Sequence, residues 1–220
     1  MTQTPRQELH LFFSTESSDA VILFRASNSL YRLIHWQTKG DKFTFGQWIK
    51  TRIYGSDCAL SPDGRHFLYG GMQKNSAYPF MAISRPPYFT ALEYFPYQVT
   101  YSCGGFFVDN TTVSLLGAAN DQGIEALRSG FKLDRSKKPW LHLRPRSEWE
   151  KTSEQEITRL RKMDGERRGR PSVLLNCYYC EGAKLFRKTA DGNKLIGDFG
   201  DMQFENISAP YRGIEGSTVK

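Results

Sequence analysis

Residues 58–69 read Cys58-Ala-Leu-Ser-Pro-Asp-Gly-Arg-His-Phe-Leu-Tyr69, and they carry the clearest structural signal in the chain. Apolar residues lie on both sides of a Ser-Pro-Asp-Gly turn. Pro62 fixes φ for a turn, Asp63 can accept hydrogen bonds from the nearby backbone, and Gly64 tolerates a positive φ. The stretch therefore predicts a β-hairpin.

A related pattern follows Cys103, where Gly-Gly-Phe-Phe-Val precedes Asp109-Asn110 and Thr-Thr-Val-Ser-Leu-Leu-Gly follows. Cys58 and Cys103 keep nearly the same spacing, about 45 residues, as Gly64 and Asn110. This spacing is close to the period of a four-stranded propeller blade. The pattern favours a repeat of antiparallel strands.

Other strands are predicted from runs of β-branched, aromatic and leucine residues between turn residues. They cover residues 20–26, 30–36 and 43–49. A third turn at 190–193 joins predicted strands over 184–188 and 194–199.

The composition predicts one folded domain over residues 1–220. The chain is 39% hydrophobic and 14% aromatic, which supplies enough apolar surface for a core. We expect a mainly β protein with antiparallel, propeller-like sheets and one basic helical insertion at about 147–170.

The insertion is predicted to contain one helix over residues 154–163. Ser153 and Glu156 have the spacing of a capping box at the beginning of this helix. Gly165 is predicted to end it.

The charged sequence that follows, residues 164–171, predicts an exposed loop. An apolar run over residues 172–179 predicts a buried strand after that loop.

Three motifs in the first half of the chain carry a resemblance to a known family. They are GQW-x-K-x-RIY at residues 46–54, C-x-LSPDG at 58–64 and AISRPPY at 82–88. Across about residues 20–117 the chain resembles a family of uncharacterised bacterial proteins. The resemblance implies a bacterial origin and a propeller-like fold, and it implies no catalytic residues.

A cytoplasmic location is expected, because the first residues lack the pattern of a secretion signal. No segment approaches the roughly 20 apolar residues that cross a bilayer, so no membrane partner is expected. In a cytosol the cysteines are predicted to stay reduced; they are Cys58, Cys103, Cys177 and Cys180.

Catalytic and metal-binding motifs are weak in this sequence. Cys177-Tyr-Tyr-Cys180 has the spacing of half a zinc site or a redox motif, but no second ligand pair has matching spacing. None of the histidines, His10, His35, His66 and His142, forms the His-Glu-x-x-His pattern of a metal hydrolase. We therefore predict no enzyme, no bound metal and no cofactor.

The basic segment over residues 132–170 suggests one binding function. It holds 13 Lys and Arg against 7 Asp and Glu, while the whole chain has a net charge of +7. Cations interleaved with aromatic residues could neutralise phosphates and stack on bases. The alternative is a solvated helix and loop with local ion pairs. The candidate nucleic-acid-binding residues are Lys137, Lys138, Trp140, Arg144, Arg146, Arg167, Arg168 and Arg170.

Protein binding is the leading hypothesis, because turn-rich loops present rigid surfaces and no catalytic constellation is recognisable. The specific hypothesis is an immunity protein that binds and blocks a cognate bacterial toxin. Nucleic-acid binding is the second hypothesis, and an unrecognised hydrolase is the third. The candidate protein-binding residues are acidic: Asp191, Asp198, Asp201 and Glu205.

Overall fold

The chain is mainly β, as the sequence predicts. The computed structural model describes residues 7–73, 76, 78–97, 104–115, 127–134 and 152–214. Strands take 46% and helices 12% of the described residues. The strands form four separate sheets.

The first sheet is a four-stranded antiparallel meander of neighbouring strands. Its strands are β1 (Glu8–Phe13), β2 (Asp19–Ser27), β3 (Leu30–Gln37) and β4 (Lys42–Ile49). The strands predicted over 20–26, 30–36 and 43–49 are confirmed. The middle of β2, from Ala20 to Phe24, is fully buried because the sheet is covered on both faces.

The second sheet has the same meander order. Its strands are β5 (Ala59–Leu60), β6 (Phe67–Met72), β7 (Pro79–Ser84) and β8 (Ala91–Pro96). The hairpin predicted at 58–69 is confirmed, since β5 and β6 pair antiparallel. Its turn forms as expected: Gly64 has φ +78°, and the Asp63 carboxylate accepts a hydrogen bond from the Arg65 amide.

The third sheet pairs β9 (Gly105–Phe107) antiparallel with β10 (Thr112–Leu115), and β10 runs parallel to β11 (Lys132–Leu133). The turn predicted at Asp109-Asn110 is confirmed. Hydrogen bonds from the Thr111 amide and hydroxyl to its carboxylate lower the pKa of Asp109. Cys103 lies outside the described residues.

The fourth sheet contains β12 (Tyr178–Glu181), β13 (Lys184–Thr189) and β14 (Gly192–Asp198), all antiparallel. The turn predicted at 190–193 joins β13 to β14 and is confirmed, with Gly192 at φ +121°.

Two α-helices occur in the described residues, and both differ from the predictions. Helix α1 (Glu154–Arg167) begins with the predicted cap, in which the Ser153 hydroxyl accepts from the Glu156 amide. It continues past Gly165, because Gly169 supplies the positive φ of +73° that reverses the chain. No helix of the described residues is long and apolar enough to cross a membrane.

The strand predicted over residues 172–179 is wrong. Helix α2 (Ser172–Leu175) begins after Pro171, and strand β12 begins only at Tyr178. In the apolar run that suggested a buried strand, Val173 and Leu174 are exposed, at 72% and 38%, while Leu175 packs against a buried cluster. Residues 135–151, which include part of the predicted insertion at 147–170, lie outside the described residues.

The first strands of the four sheets lie side by side. Strand β1 contacts both β12 and β5, and β5 contacts β9. Three buried clusters fill the spaces between neighbouring sheets.

The first hairpin turns of three sheets are joined by hydrogen bonds. The Pro62 carbonyl accepts from the Glu16 amide at 3.0 Å. The Asn110 amide group donates to the Glu16 carboxylate at 2.8 Å, and its oxygen accepts from the Asp63 backbone amide at 2.9 Å. These contacts hold equivalent turns at the same end of the molecule.

Candidate protein-binding surface

Residues 167–170, here called the arginine segment, cross three inner strands in succession. The Arg167 guanidinium lies 5.3 Å from the Phe106 ring on β9. The Arg168 carbonyl accepts from the Leu60 amide on β5, and the Gly169 carbonyl accepts from the Phe13 amide on β1. The segment therefore ties the first and second sheets together.

The exposed loop predicted over residues 164–171 is wrong. Residues up to Arg167 are helical, and Arg168 is only 7% exposed. The Arg168 guanidinium donates to the Ser56 carbonyl and lies 3.9 Å from the Asp57 carboxylate. The charges in this stretch suggested solvent, but guanidinium groups also bind buried carbonyl and carboxylate oxygens.

The structure brings together three of the candidate nucleic-acid-binding residues, Arg167, Arg168 and Arg170, in this internal segment. On helix α1 two basic side chains pair locally: Arg159 with Glu156 at 3.5 Å, and Lys162 with Glu166 at 3.9 Å. The remaining candidates lie outside the described residues; they are Lys137, Lys138, Trp140, Arg144 and Arg146.

Two of the resemblance motifs interlock the first and second sheets. A Cβ at Gly46 would clash with the Pro87 carbonyl, so strand β4 can approach this loop only with glycine there. The Gln47 amide donates to the Pro87 carbonyl at 2.9 Å. The Gln47 side-chain oxygen accepts from the Phe89 amide and from the Thr90 amide and hydroxyl. These contacts give both motifs a structural role.

Arg32 is the centre of a surface built by β3, β4 and the chain after β14. The residue is 2% exposed, and its Nε donates to the Gly46 carbonyl at 3.2 Å. Its guanidinium lies 5.3 Å from the Phe45 ring and 5.2 Å from the Trp48 ring. Its Nη1 lies 3.2 Å from the Glu205 carboxylate.

Two exposed aromatic rings belong to the same surface, one against Arg32 and the other beside Trp48. Phe45 and Phe204 are each 45% exposed. The Phe204 ring lies 6.3 Å from the Trp48 ring and 3.9 Å from Lys50 Nζ. We call the set the Arg32 surface, and its residues are Arg32, Phe45, Trp48, Lys50, Phe204 and Glu205.

The acidic candidates are exposed but do not form one cluster. Glu205 belongs to the Arg32 surface, and Asp201 precedes Met202, whose sulfur lies 3.5 Å from Arg32 Nη1. Asp198 ends β14 and pairs with Lys184 at 3.8 Å, with both side chains about half exposed. Asp191 lies in the turn at the opposite end of β14.

Sequence reasoning missed the aromatic members of the surface and Arg32 itself. A signal was present in the sequence, because Arg32 is a charged residue in the middle of a strand whose neighbours are apolar. A buried charge of this kind needs partners, which here are a carbonyl, a carboxylate and two aromatic rings.

Comparison of the chain with protein-family models, curated proteins and solved structures finds no match. The assignment of this surface therefore depends on its geometry.

One cluster contains the residue types of a hydrolase triad but not its order. The Ser17 hydroxyl donates to the Asp19 carboxylate at 2.8 Å, and His35 Nε2 lies 3.0 Å from the same carboxylate. The carboxylate stands between the hydroxyl and the imidazole, whereas a nucleophile needs the base next to it. These contacts hold the turn between β1 and β2 against strand β3.

The Cys177 and Cys180 thiols are both free. Burial raises the pKa of Cys180 to about 11, which disfavours the reactive thiolate at neutral pH. In the part of the chain that the structure describes, no group of three or more His, Cys, Asp or Glu residues is placed to hold a metal ion.

Proposed function

We propose that this chain is a non-enzymatic protein-binding module whose partner docks on the Arg32 surface. The observation that carries the proposal is a half-exposed ring, Phe45, against a buried arginine, with a second half-exposed ring, Phe204, beside Trp48 on the same surface. Aromatic residues and arginine dominate the binding energy of protein interfaces, where they cluster in packed, desolvated patches.

The surface is held rigid before any partner binds. Arg32 is fixed by a backbone carbonyl and two rings, and β4 is locked to the second sheet through Gln47. A rigid surface loses little conformational entropy on association, so more of the contact energy becomes affinity.

The specific form of this hypothesis is an immunity protein that binds and blocks a cognate bacterial toxin. The feature that supports it is a surface suited to protein contact, in which the half-exposed Phe45 ring lies against the buried Arg32. Asp201 and Glu205, both exposed in the chain after β14, suit a basic partner. The net charge of +7 opposes long-range attraction to such a partner, so the hypothesis does not specify the toxin's activity.

A propeller-like arrangement of the sheets is part of the proposal. The adjacent first strands, in the order β12, β1, β5 and β9, and the linked hairpin turns support it. In a propeller, the first strands of successive blades line a common centre.

The test is quantitative binding to a partner purified from the source bacterium or encoded beside this chain. We expect Phe45→Ser and Phe204→Ser each to weaken binding at least about 10-fold, the equivalent of about 1.4 kcal/mol. Val108→Ser is the matched control, because Val108 is 40% exposed but lies in the turn between β9 and β10.

Unchanged affinity in both phenylalanine variants would exclude the Arg32 surface as the binding site. The same samples are to be tested with DNA and RNA over a salt series. Tight nucleic-acid binding that weakens steeply with salt, with no protein partner recovered, would replace protein binding by the nucleic-acid hypothesis.

A further inference from the structure

Arg170, the last residue of the arginine segment, has a guanidinium that forms no ion pair within 4 Å with a described carboxylate, although the charge of Glu8 acts on it from farther away. The group lies 5.6 Å from the Phe12 ring. Its Nε is buried and makes no hydrogen bond within the described part of the chain. Arg168 differs, because it binds the Ser56 carbonyl and lies near Asp57. A partly buried guanidinium loses hydration that its surroundings here do not replace.

A histidine and a second arginine lie farther along the first sheet, on the same face as Phe12. Glu8, His10 and Phe12 alternate along β1 and so share one face of the strand. Arg25 on β2 pairs with Glu8 across the sheet, with 3.4 Å between the charged groups. Arg25 Nε is also buried without a hydrogen bond to any described residue.

At this end of β1 two guanidinium groups, those of Arg25 and Arg170, share the charge of one carboxylate, Glu8, which leaves positive charge in excess. Burial lowers the pKa of His10, and the charges of Arg170 and Arg25 lower it further against the opposing effect of Glu8. Burial also lowers the pKa of Arg170, and the charge of Arg168 lowers it further against the opposing effects of Cys58 and Glu8. A bound anion would offset these unfavourable interactions.

We propose that Arg170, Arg25 and His10 form a binding site for a phosphate-class oxyanion. A phosphate group carries up to two charges and several acceptor oxygens, which suits two guanidinium groups and an imidazole. The source is either free phosphate or a small phosphomonoester. The site is independent of the proposed protein-binding function.

Calorimetric titration of the full chain with inorganic phosphate, and separately with a nucleoside monophosphate, tests this site at constant ionic strength. We expect at least one of the two to bind. Its dissociation constant should rise at least 10-fold in Arg170→Gln and also in Arg25→Gln. Arg65→Gln is the matched control, because its side chain is 82% exposed in the turn between β5 and β6 and should leave binding unchanged.

The two probes distinguish the sources. Comparable binding of both probes indicates recognition of phosphate alone, and binding of the monoester alone indicates that the esterified group belongs to the ligand. Circular dichroism of each variant confirms that it is folded before titration; if one arginine variant is unfolded, the other decides. Absence of binding by either probe, or equal affinity in the wild type and the folded arginine variants, would overturn the proposal.

Discussion

Replacing Gly169 with alanine tests whether the arginine segment truly joins the first and second sheets. Gly169 has φ +73°, a conformation that disfavours any residue with a Cβ. A Cβ at this position would lie 2.8 Å from the Phe13 carbonyl oxygen and 3.2 Å from Leu60 Cβ. The backbone must therefore move away from β1, from β5 or from both.

Two terms set the expected loss of stability. The left-handed backbone conformation costs an alanine about 1–2 kcal/mol. Displacement of the segment weakens the hydrogen bonds from Phe13 and Leu60, each worth about 0.5–1.5 kcal/mol. We expect the free energy of unfolding to fall by about 2–5 kcal/mol in total when both hydrogen bonds are lost.

Urea unfolding of the wild type, Gly169→Ala and Gly182→Ala separates the two terms. Gly182 also has a positive φ, +58°, but no heavy atom lies within 4 Å of a Cβ built there. Its replacement should cost only the conformational term, about 1–2 kcal/mol. Equal losses in the two variants would refute the packing of the arginine segment between β1 and β5.

Three further predictions follow from single contacts. Gln47→Ala should lower the free energy of unfolding by about 1–3 kcal/mol in urea titrations, because three donors lose their acceptor. Burial lowers the pKa of both His10 and His66, so these two histidines bind protons more readily in the unfolded chain than in the folded one. The free energy of unfolding should keep its full value above about pH 6.5 and fall as the pH drops below it. A free energy of unfolding that stays constant from about pH 7 to pH 5 would contradict this. Among the described thiols, a thiol reagent should label exposed Cys177 before buried Cys58, whose pKa burial raises to about 12, as peptide mass spectrometry would show.

Local chemistry explains which elements the sequence predicted correctly. The hairpin at 58–69 was predictable because Pro62 and Gly64 set its turn without help from distant residues. The start of α1 was predictable for the same reason, since Ser153 caps an amide three residues away.

The errors occur where distant contacts decide the outcome. Arg168 belongs to a charged run, yet it is buried because its partners at Ser56 and Asp57 are more than 100 positions away in the chain. Val173 lies in an apolar run, yet it is exposed on α2. The acidic candidates were found by composition, which could not show that Glu205 is already paired with Arg32.

The two proposed sites lie on opposite faces of the first sheet. Arg32 packs with Phe24 and Trp48 on the face that meets the fourth sheet, while Arg25, Glu8 and His10 belong to the other face. Adjacent positions in a strand point to opposite sides, as the pairing of Arg25 with Tyr31 and of Phe24 with Arg32 requires. Phenylalanine substitutions on the Arg32 surface should therefore leave phosphate binding unchanged. Arg170→Gln should likewise leave protein binding unchanged, so each proposal can fail without the other.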